Sequence, residues 1–307
     1  MFADEAQDYS ALEMSVVRYW GQMAEYFVLA GDDQQALYDF RGASAEVLLT
    51  PELPDAQVKI LEQSYRLPSK ILDYAMDYGD TKDRYQPKDI KPVREGGEVM
   101  RLSKRLKDPA VVTTAIAEAD RGQTVMILAS CEYMLKPVVK ELREKGVLFH
   151  NPYRPGSTAW NPCRGGVERL RDFMRDRGEM CWRHANHWFE HLDAKRCKMK
   201  RGAKAAVKAS SEADDRNEVV TDEDFLEVTG FEMPPPDPEW FFERVLRPRL
   251  PLYDYARTVT RLSGMESFEA CPKIIVGTFH SVKGGEADVV IMSSDVSRLG
   301  KADYTKD

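Results

Sequence analysis

Met1-Phe2-Ala3-Asp4-Glu5-Ala6-Gln7-Asp8 opens the chain and decides how the rest of it is read. A short apolar segment runs straight into two adjacent carboxylates. A site that hydrolyses a nucleotide places such a pair at a strand end, where one acid holds Mg²⁺ through its water shell and the other orients or deprotonates the attacking water. Two acids after a strand also make an ordinary helix N-terminus, where the helix dipole favours negative charge. The segments that follow decide between these readings.

Working outward, residues 9–24 read as a helix and Tyr26–Ala30 as a short apolar strand ending at Gly31-Asp32. A loop carrying Gln34 through Gly42 comes next, and Pro51 and Pro54 mark a hinge between domains. Residues 68–78 read as a helix, Glu98–Leu102 as a strand and Val111–Arg121 as a helix. Val125–Ala129 is a buried-type strand, Glu132–Lys145 an amphipathic helix ending at Gly146, and Val147–His150 a strand. Strand, helix and strand in that order imply a parallel sheet with helices on its faces. From about 151 to 272 the character changes: a helical run at 166–192, a basic stretch at 195–208, an acidic one at 212–227 and the stiff turn Met233–Pro238. Alternation of strand and loop returns with strands at Lys273–Thr278 and Asp288–Ser293, joined by a polar Gly-rich loop. The layout is an α/β domain interrupted by a helical insertion.

The 307 residues suffice for two domains with ample cores. With 44 basic against 51 acidic residues the net charge is −7, which excludes a uniformly basic nucleic-acid coat but leaves room for a local DNA channel. No apolar run approaches the ~20 residues that cross a bilayer, and no signal-peptide pattern is present. Five cysteines with no CxxC pair suit a reducing, cytoplasmic compartment.

Four separated blocks then align: Asp4-Glu5-Ala6-Gln7-Asp8; Gly31-Asp32-Asp33-Gln34-Gln35 running on to Tyr38-Asp39-Phe40-Arg41-Gly42; Leu61-Glu62-Gln63-Ser64-Tyr65-Arg66; and Thr278-Phe279-His280-Ser281-Val282-Lys283-Gly284-Gly285-Glu286. In this order they resemble motifs II, III, IV and V of the UvrD/Rep-type superfamily-1 DNA helicases, and the Gly285-Glu286 form resembles a phage-type branch. The resemblance implies RecA-like P-loop NTPase parallel sheets with a mostly helical insertion. It divides the chain into the rear of a first RecA-like domain (1–50), an incomplete second one (51–150 and 273–307) and the insertion (151–272).

ATP and Mg²⁺ are the implied cofactors, single-stranded and duplex DNA the implied partners, and translocation with unwinding, 3′ to 5′, in replication, repair or recombination the implied activity. By the same resemblance Asp4 binds Mg²⁺, Glu5 activates water, and Gln7 and Gln35 sense the γ-phosphate through amides that both donate and accept. Arg66 reaches the γ-phosphate as a guanidinium fork, and Tyr65 stacks on adenine. Lys283 and Gly284 lie near the γ-phosphate, Glu286 accepts from the ribose, and Thr278 and His280 meet the DNA backbone. Tyr38, Phe40 and Arg41 grip single-stranded DNA by stacking, which tolerates any sequence.

Two expected parts are missing from the string. No G-x-x-x-x-G-K-[ST] phosphate-binding loop occurs, since Gly300-Lys301 is followed by Ala302, and the last family motif with its arginine is also absent. Val259-Thr260-Arg261 reads as helix surface. The chain is therefore expected to be a partial one, inactive alone, with a longer gene or a second polypeptide supplying the phosphate loop. Two rivals follow: a non-catalytic DNA-binding or regulatory remnant, and a nuclease-linked helicase subunit, for which no cluster of acids with a lysine is evident. Seven basic residues between Lys195 and Lys208 read equally as a DNA-backbone contact or a solvated loop. Cys181, Ala185, Trp188 and Leu192 form an apolar stripe, with His184, His187 and His191 on the opposite face, where zinc would need a ligand spacing of no established type.

Overall fold

A computed structural model of the chain describes residues 1–53, 56–79, 86–162, 165–175, 177–214 and 216–295. Pro54, Cys163, Gly300, Lys301 and the end of the second expected domain lie outside the described residues. The chain forms two compact units, Met1–Ser103 and Lys104–Asp307.

In the first unit, β1 (Phe2–Ala3) leads to the acidic block, then α1 (Ala11–Gly21) and β2 (Val28–Leu29), which pairs parallel to β1. The helix starts at Ala11, later than its apolar pattern suggests, because Ser10 and Glu13 close a capping box. Ser10 Oγ accepts from the Glu13 amide at 3.3 Å, and Glu13 Oε2 accepts from the Ser10 amide at 2.8 Å. The short helix α2 (Glu46–Leu49) brings Val47 against Ala6 and Met14, a small buried cluster under the acidic block.

β3 (Gln63–Pro68) runs directly into α3 (Ser69–Gly79) and pairs parallel with β4 (Lys91–Arg94). Neither strand stands out in the sequence, because β3 alternates little and β4 carries a proline. The strand expected at Glu98–Leu102 is absent, and the segment has no regular structure. Gly96 and Gly97, with φ of 93° and 85°, turn the chain there into a region that strands do not visit.

The second unit begins with α4 (Pro109–Asp120), started by the Asp108 cap and Pro109. β5 (Val125–Ala129), α5 (Glu132–Glu144) and β6 (Phe149–His150) follow. The chain then stays helical through α6 (Gly166–Met174), α7 (Trp182–Phe189), α8 (Ala203–Ala213), α9 (Asp222–Thr229), α10 (Pro238–Arg244) and α11 (Leu250–Ser263). The run expected at 166–192 is thus two helices with a 3₁₀ turn at Arg177–Glu179 between them. β7 (Ile274–Thr278) and β8 (Val289–Met292) complete a four-stranded parallel sheet of order β6-β7-β5-β8.

Every residue of β5 is buried, as a central parallel strand covered on both faces requires. One continuous core runs from Ile127, Phe149 and Val276 of the sheet to Trp188, Phe225 and Phe241 of the helices. The Cys181, Ala185, Trp188 and Leu192 stripe is buried in it. Arg261 is exposed on α11, while Val259 points into the core. Among the described residues no helix is long and apolar enough to cross a membrane.

Candidate nucleotide and DNA site

Parallel pairing of β1 with β2 sets two strand ends side by side, the acidic block after Ala3 and the Gly31 turn after Leu29. The Ala6 amide donates to Ala30 O at 2.9 Å and fixes one against the other. Asp4 and Glu5 are exposed, and Asp4 Oδ1 accepts from the Glu5 amide at 2.8 Å. Glu5 holds a left-handed backbone, φ 55°, an unfavourable conformation for a residue with a side chain and one that collects at functional sites.

Gln7, fully buried, is the joint. Its Nε2 donates to Glu5 Oε2 at 2.5 Å, and its Oε1 accepts from the Asp32 amide at 3.0 Å. Gly31 permits this approach, because a Cβ there would stand 2.4 Å from Gln7 Oε1. Gln35 Nε2 donates to Asp32 Oδ2 at 2.5 Å. Glu5, Gln7, Asp32 and Gln35 therefore form one hydrogen-bonded chain.

Lys88, which the sequence gives no reason to single out, completes the chain. Its Nζ lies 2.6 Å from Asp32 Oδ1 and 2.5 Å from Asp33 Oδ1. Asp33 is 5% exposed and also accepts from the Gln86 amide at 2.8 Å. Burial works against the charge of Asp32, but hydrogen bonds from Lys88 and Gln35 outweigh it and hold its carboxyl below the usual range. For Lys88 burial likewise disfavours the ammonium, and the bonds to Asp32 and Asp33 prevail and raise its pKa. Asp32 and Lys88 thus each favour the charged form of the other.

Immediately downstream, Phe40 is 75% exposed, its ring centroid 6.1 Å from that of half-buried Tyr38, and the Arg41 guanidinium lies 5.8 Å from the Tyr38 ring. Tyr65 and Arg66 stand exposed on β3, with Tyr65 Oη donating to Gln63 Oε1 at 3.0 Å.

The last block belongs to the second unit and leaves the C-terminal end of β7, where open parallel sheets place their ligands. Thr278 caps a 3₁₀ turn over Phe279–Ser281 by accepting the Ser281 amide at 3.2 Å, and His280 is half-buried in that turn. Asn151, fully buried, donates through Nδ2 to Val276 O and to Ser281 Oγ, both at 3.1 Å. Tyr153 Oη accepts from the Glu286 amide at 3.3 Å, its ring so close that a Cβ on Gly285 would lie 2.6 Å from it. Lys283 is half-buried, and Gly284 and Glu286 are exposed. Asn151 and Tyr153 were not singled out from the sequence, since a lone polar residue after a strand carries no signal of what it will clamp.

The three histidines of the helical region go to different partners. His184 Nδ1 lies 3.3 Å from both the amide and the Sγ of Cys181, His187 Nδ1 is 2.6 Å from Asp172 Oδ2, and His191 Nδ1 is 2.8 Å from Tyr253 Oη. His191 is buried rather than on the expected polar face. Among the described residues no three His, Cys, Asp or Glu side chains are grouped to hold a metal ion. Mg²⁺ on a nucleotide needs only one or two carboxylates beside phosphate oxygens and water. The exposed Asp4, beside a Glu5 pinned by Gln7, fits that smaller demand. Of the basic stretch, Lys204 donates to Glu190 O at 2.9 Å, Arg196 to Glu243 O at 3.0 Å and Lys200 to Glu227 O at 3.3 Å, so these three are engaged by backbone carbonyls of the helical region.

Residues 1–53 match the UvrD/REP helicase N-terminal domain. The chain is 36% identical over 77 residues to the ATP-dependent DNA helicase Rep of Salmonella typhimurium, a stretch that covers 24% of this chain and 11% of the relative. Over 142 residues it is 25% identical to the ATP-dependent DNA helicase PcrA of Staphylococcus epidermidis, covering 46% of this chain and 17% of the relative. Rep of Escherichia coli is 35% identical over 77 residues, again 24% of this chain and 11% of the relative. The matched stretches thus span about a tenth to a sixth of these relatives.

Proposed function

We propose, from the premise that this chain is of the UvrD/Rep helicase type, that it carries the Mg²⁺-binding, water-activating and phosphate-sensing part of an ATP-driven DNA translocase together with the aromatic turn that grips the strand. The observation that carries the reading is the hydrogen-bonded chain Glu5–Gln7–Asp32–Gln35, which ends five residues before the exposed ring of Phe40. Phosphate sensing and strand gripping then share one short turn, and a shift of Gln35 is transmitted to Tyr38 and Phe40 through the backbone.

In this reading ATP would supply a phosphoanhydride bond whose cleavage drives the cycle, and Mg²⁺, when bound, would supply positive charge against its phosphates. Asp4 would hold the cation, and Glu5, fixed by Gln7, would take a proton from water. Gln35 reports the γ-phosphate by exchanging its bond to Asp32 for one to phosphate. Arg66 pairs with the γ-phosphate, Tyr65 with the adenine, Lys283 and Gly284 with phosphate and Glu286 with the ribose, while Thr278 and His280 meet the DNA backbone. RecA-like domains at 1–50 and 51–150 with 273–307, the insertion at 151–272 and 3′-to-5′ polarity belong to the same proposal and rest on resemblance.

The missing G-x-x-x-x-G-K-[ST] string favours a second reading for these 307 residues by themselves, a DNA-binding or regulatory role without hydrolysis. Both readings hold that the purified chain turns over ATP at or near background. They part on nucleotide binding: a fluorescent ATP analogue should bind in the presence of Mg²⁺ and lose affinity on Asp4→Ala. DNA binding with no nucleotide binding at millimolar analogue would leave only the regulatory reading.

A further inference from the structure

We propose that Lys88 is a positioning residue that holds the phosphate-sensing turn in register, an inference resting on the role of Gln35 proposed above. Three observations meet at this side chain. Its Nζ sits between Asp32 Oδ1 at 2.6 Å and Asp33 Oδ1 at 2.5 Å, and it is only 11% exposed. Asp32, through its other oxygen, is the acceptor for Gln35 Nε2, and through its amide the donor to Gln7. Lys88 also lies three residues ahead of β4, whose first residue is bonded through its amide to Glu62 O at 2.7 Å, at the start of the strand that bears Tyr65 and Arg66.

Two adjacent carboxylates, one nearly buried, repel each other unless a cation lies between them. A lysine suits this place because its ammonium is a compact point charge with three donors, able to serve two separate oxygens. With Asp32 so held, its second oxygen is free to fix Gln35, and the Asp32 amide stays aimed at Gln7. Lys88, together with the Gln86 amide on Asp33, thus fastens the sensing turn to the segment that leads into β4. Its ammonium is engaged by Asp32 and Asp33, and it acts through Asp32.

Hydrogen exchange at the backbone amides of Asp32, Gln34 and Gln35, followed by NMR on the full chain, tests this. Lys88→Met should speed exchange at these amides by at least about tenfold while leaving α5 unchanged, and Lys88→Arg should bring it back to within about threefold of the native chain. Exchange within twofold of native in Lys88→Met, or Lys88→Arg indistinguishable from Lys88→Met, would overturn the assignment. Should Lys88→Met lose the fold of the first unit, the Asp33→Asn/Lys88→Met double variant removes the buried imbalance. Fast exchange at Gln34 and Gln35 with α1 still protected then supports the proposal, and slow exchange refutes it.

The effect of a non-hydrolysable ATP analogue with Mg²⁺ on affinity for a labelled oligo-dT is measured on the same samples. Lys88→Met should keep nucleotide-free affinity within twofold and lose the nucleotide effect. A retained effect counts against the proposal. A native chain with no nucleotide effect counts against the functional reading alone, and the exchange data still decide the place of Lys88.

Discussion

His191 illustrates how a single side chain sets a pH limit on this protein. It is buried beyond the end of α7, bonded to Tyr253 of α11, and burial together with Arg169, Arg249 and His187 lowers its pKa to about 4, against the opposing pull of Glu190. The unfolded chain takes up the proton near 6.5 and the native one only near 4, so the native state is favoured in full above 6.5 and loses ground as pH falls through that window. Between pH 7 and 5 the urea midpoint should drop by an amount worth roughly 2 kcal/mol from this group. His191→Phe should start less stable, because the Tyr253 hydroxyl loses its partner, yet show a flatter profile between these pH values. An unchanged slope in the variant would remove His191 from the account. Its heptad-like place beside His184 and His187 suggests a polar face, and only the packing of α11 over it makes it a core residue. The sequence holds no trace of that contact 62 residues away, nor of the one between Lys88 and Asp32.

At the scale of elements, the loop after β7 shows how a contiguous motif depends on a residue outside it. Thr278 through Ser281 hold their turn because Asn151, at the end of β6, spans from Val276 O to Ser281 Oγ. Asn151→Ala leaves a buried carbonyl and a hydroxyl short of a donor, costing about 1–3 kcal/mol, and should raise hydrogen exchange from Thr278 to Glu286 more than in β5. Equal protection in variant and native chain would mean that the loop is held by its own bonds. Which elements were legible follows from burial. Val125–Ala129 is an unbroken apolar run because both of its faces are covered, and it reads as a strand without help. β3 and β4, mostly exposed, offer no such run. Glu98–Leu102 has the composition of a strand but follows two glycines in positive φ, and nothing in its side chains announces the bend.

At the scale of the whole molecule, the two units differ in how much apolar surface holds them. The second has a large core reaching from the sheet through α11, with Phe189, Phe225 and Phe241 packed around Trp188. The first buries Ala6, Met14 and Val47 as its cluster, while Leu12, Tyr19, Trp20 and Met23 of the α1 region face solvent. Opening free energy follows buried apolar contact. Limited trypsin digestion should therefore consume residues 1–103 first and leave a product starting near Lys104; loss of the second unit first would contradict this. Of the hydrogen-bonded arrangements, the contiguous strings at the acidic block, the Gly31 turn and the loop after β7 are legible in the sequence, while Lys88, which holds the Gly31 turn, and Asn151, which holds the β7 loop, are not. The central claim is that the turn bearing Gln35 also grips DNA through Phe40. Its most direct test is the affinity of the full chain for a labelled oligo-dT by fluorescence anisotropy. Phe40→Ala should weaken binding about fivefold to a hundredfold, the worth of roughly 1–3 kcal/mol for a stacked base, whereas equal affinity in the native chain and the variant, or no binding by either, would contradict the account.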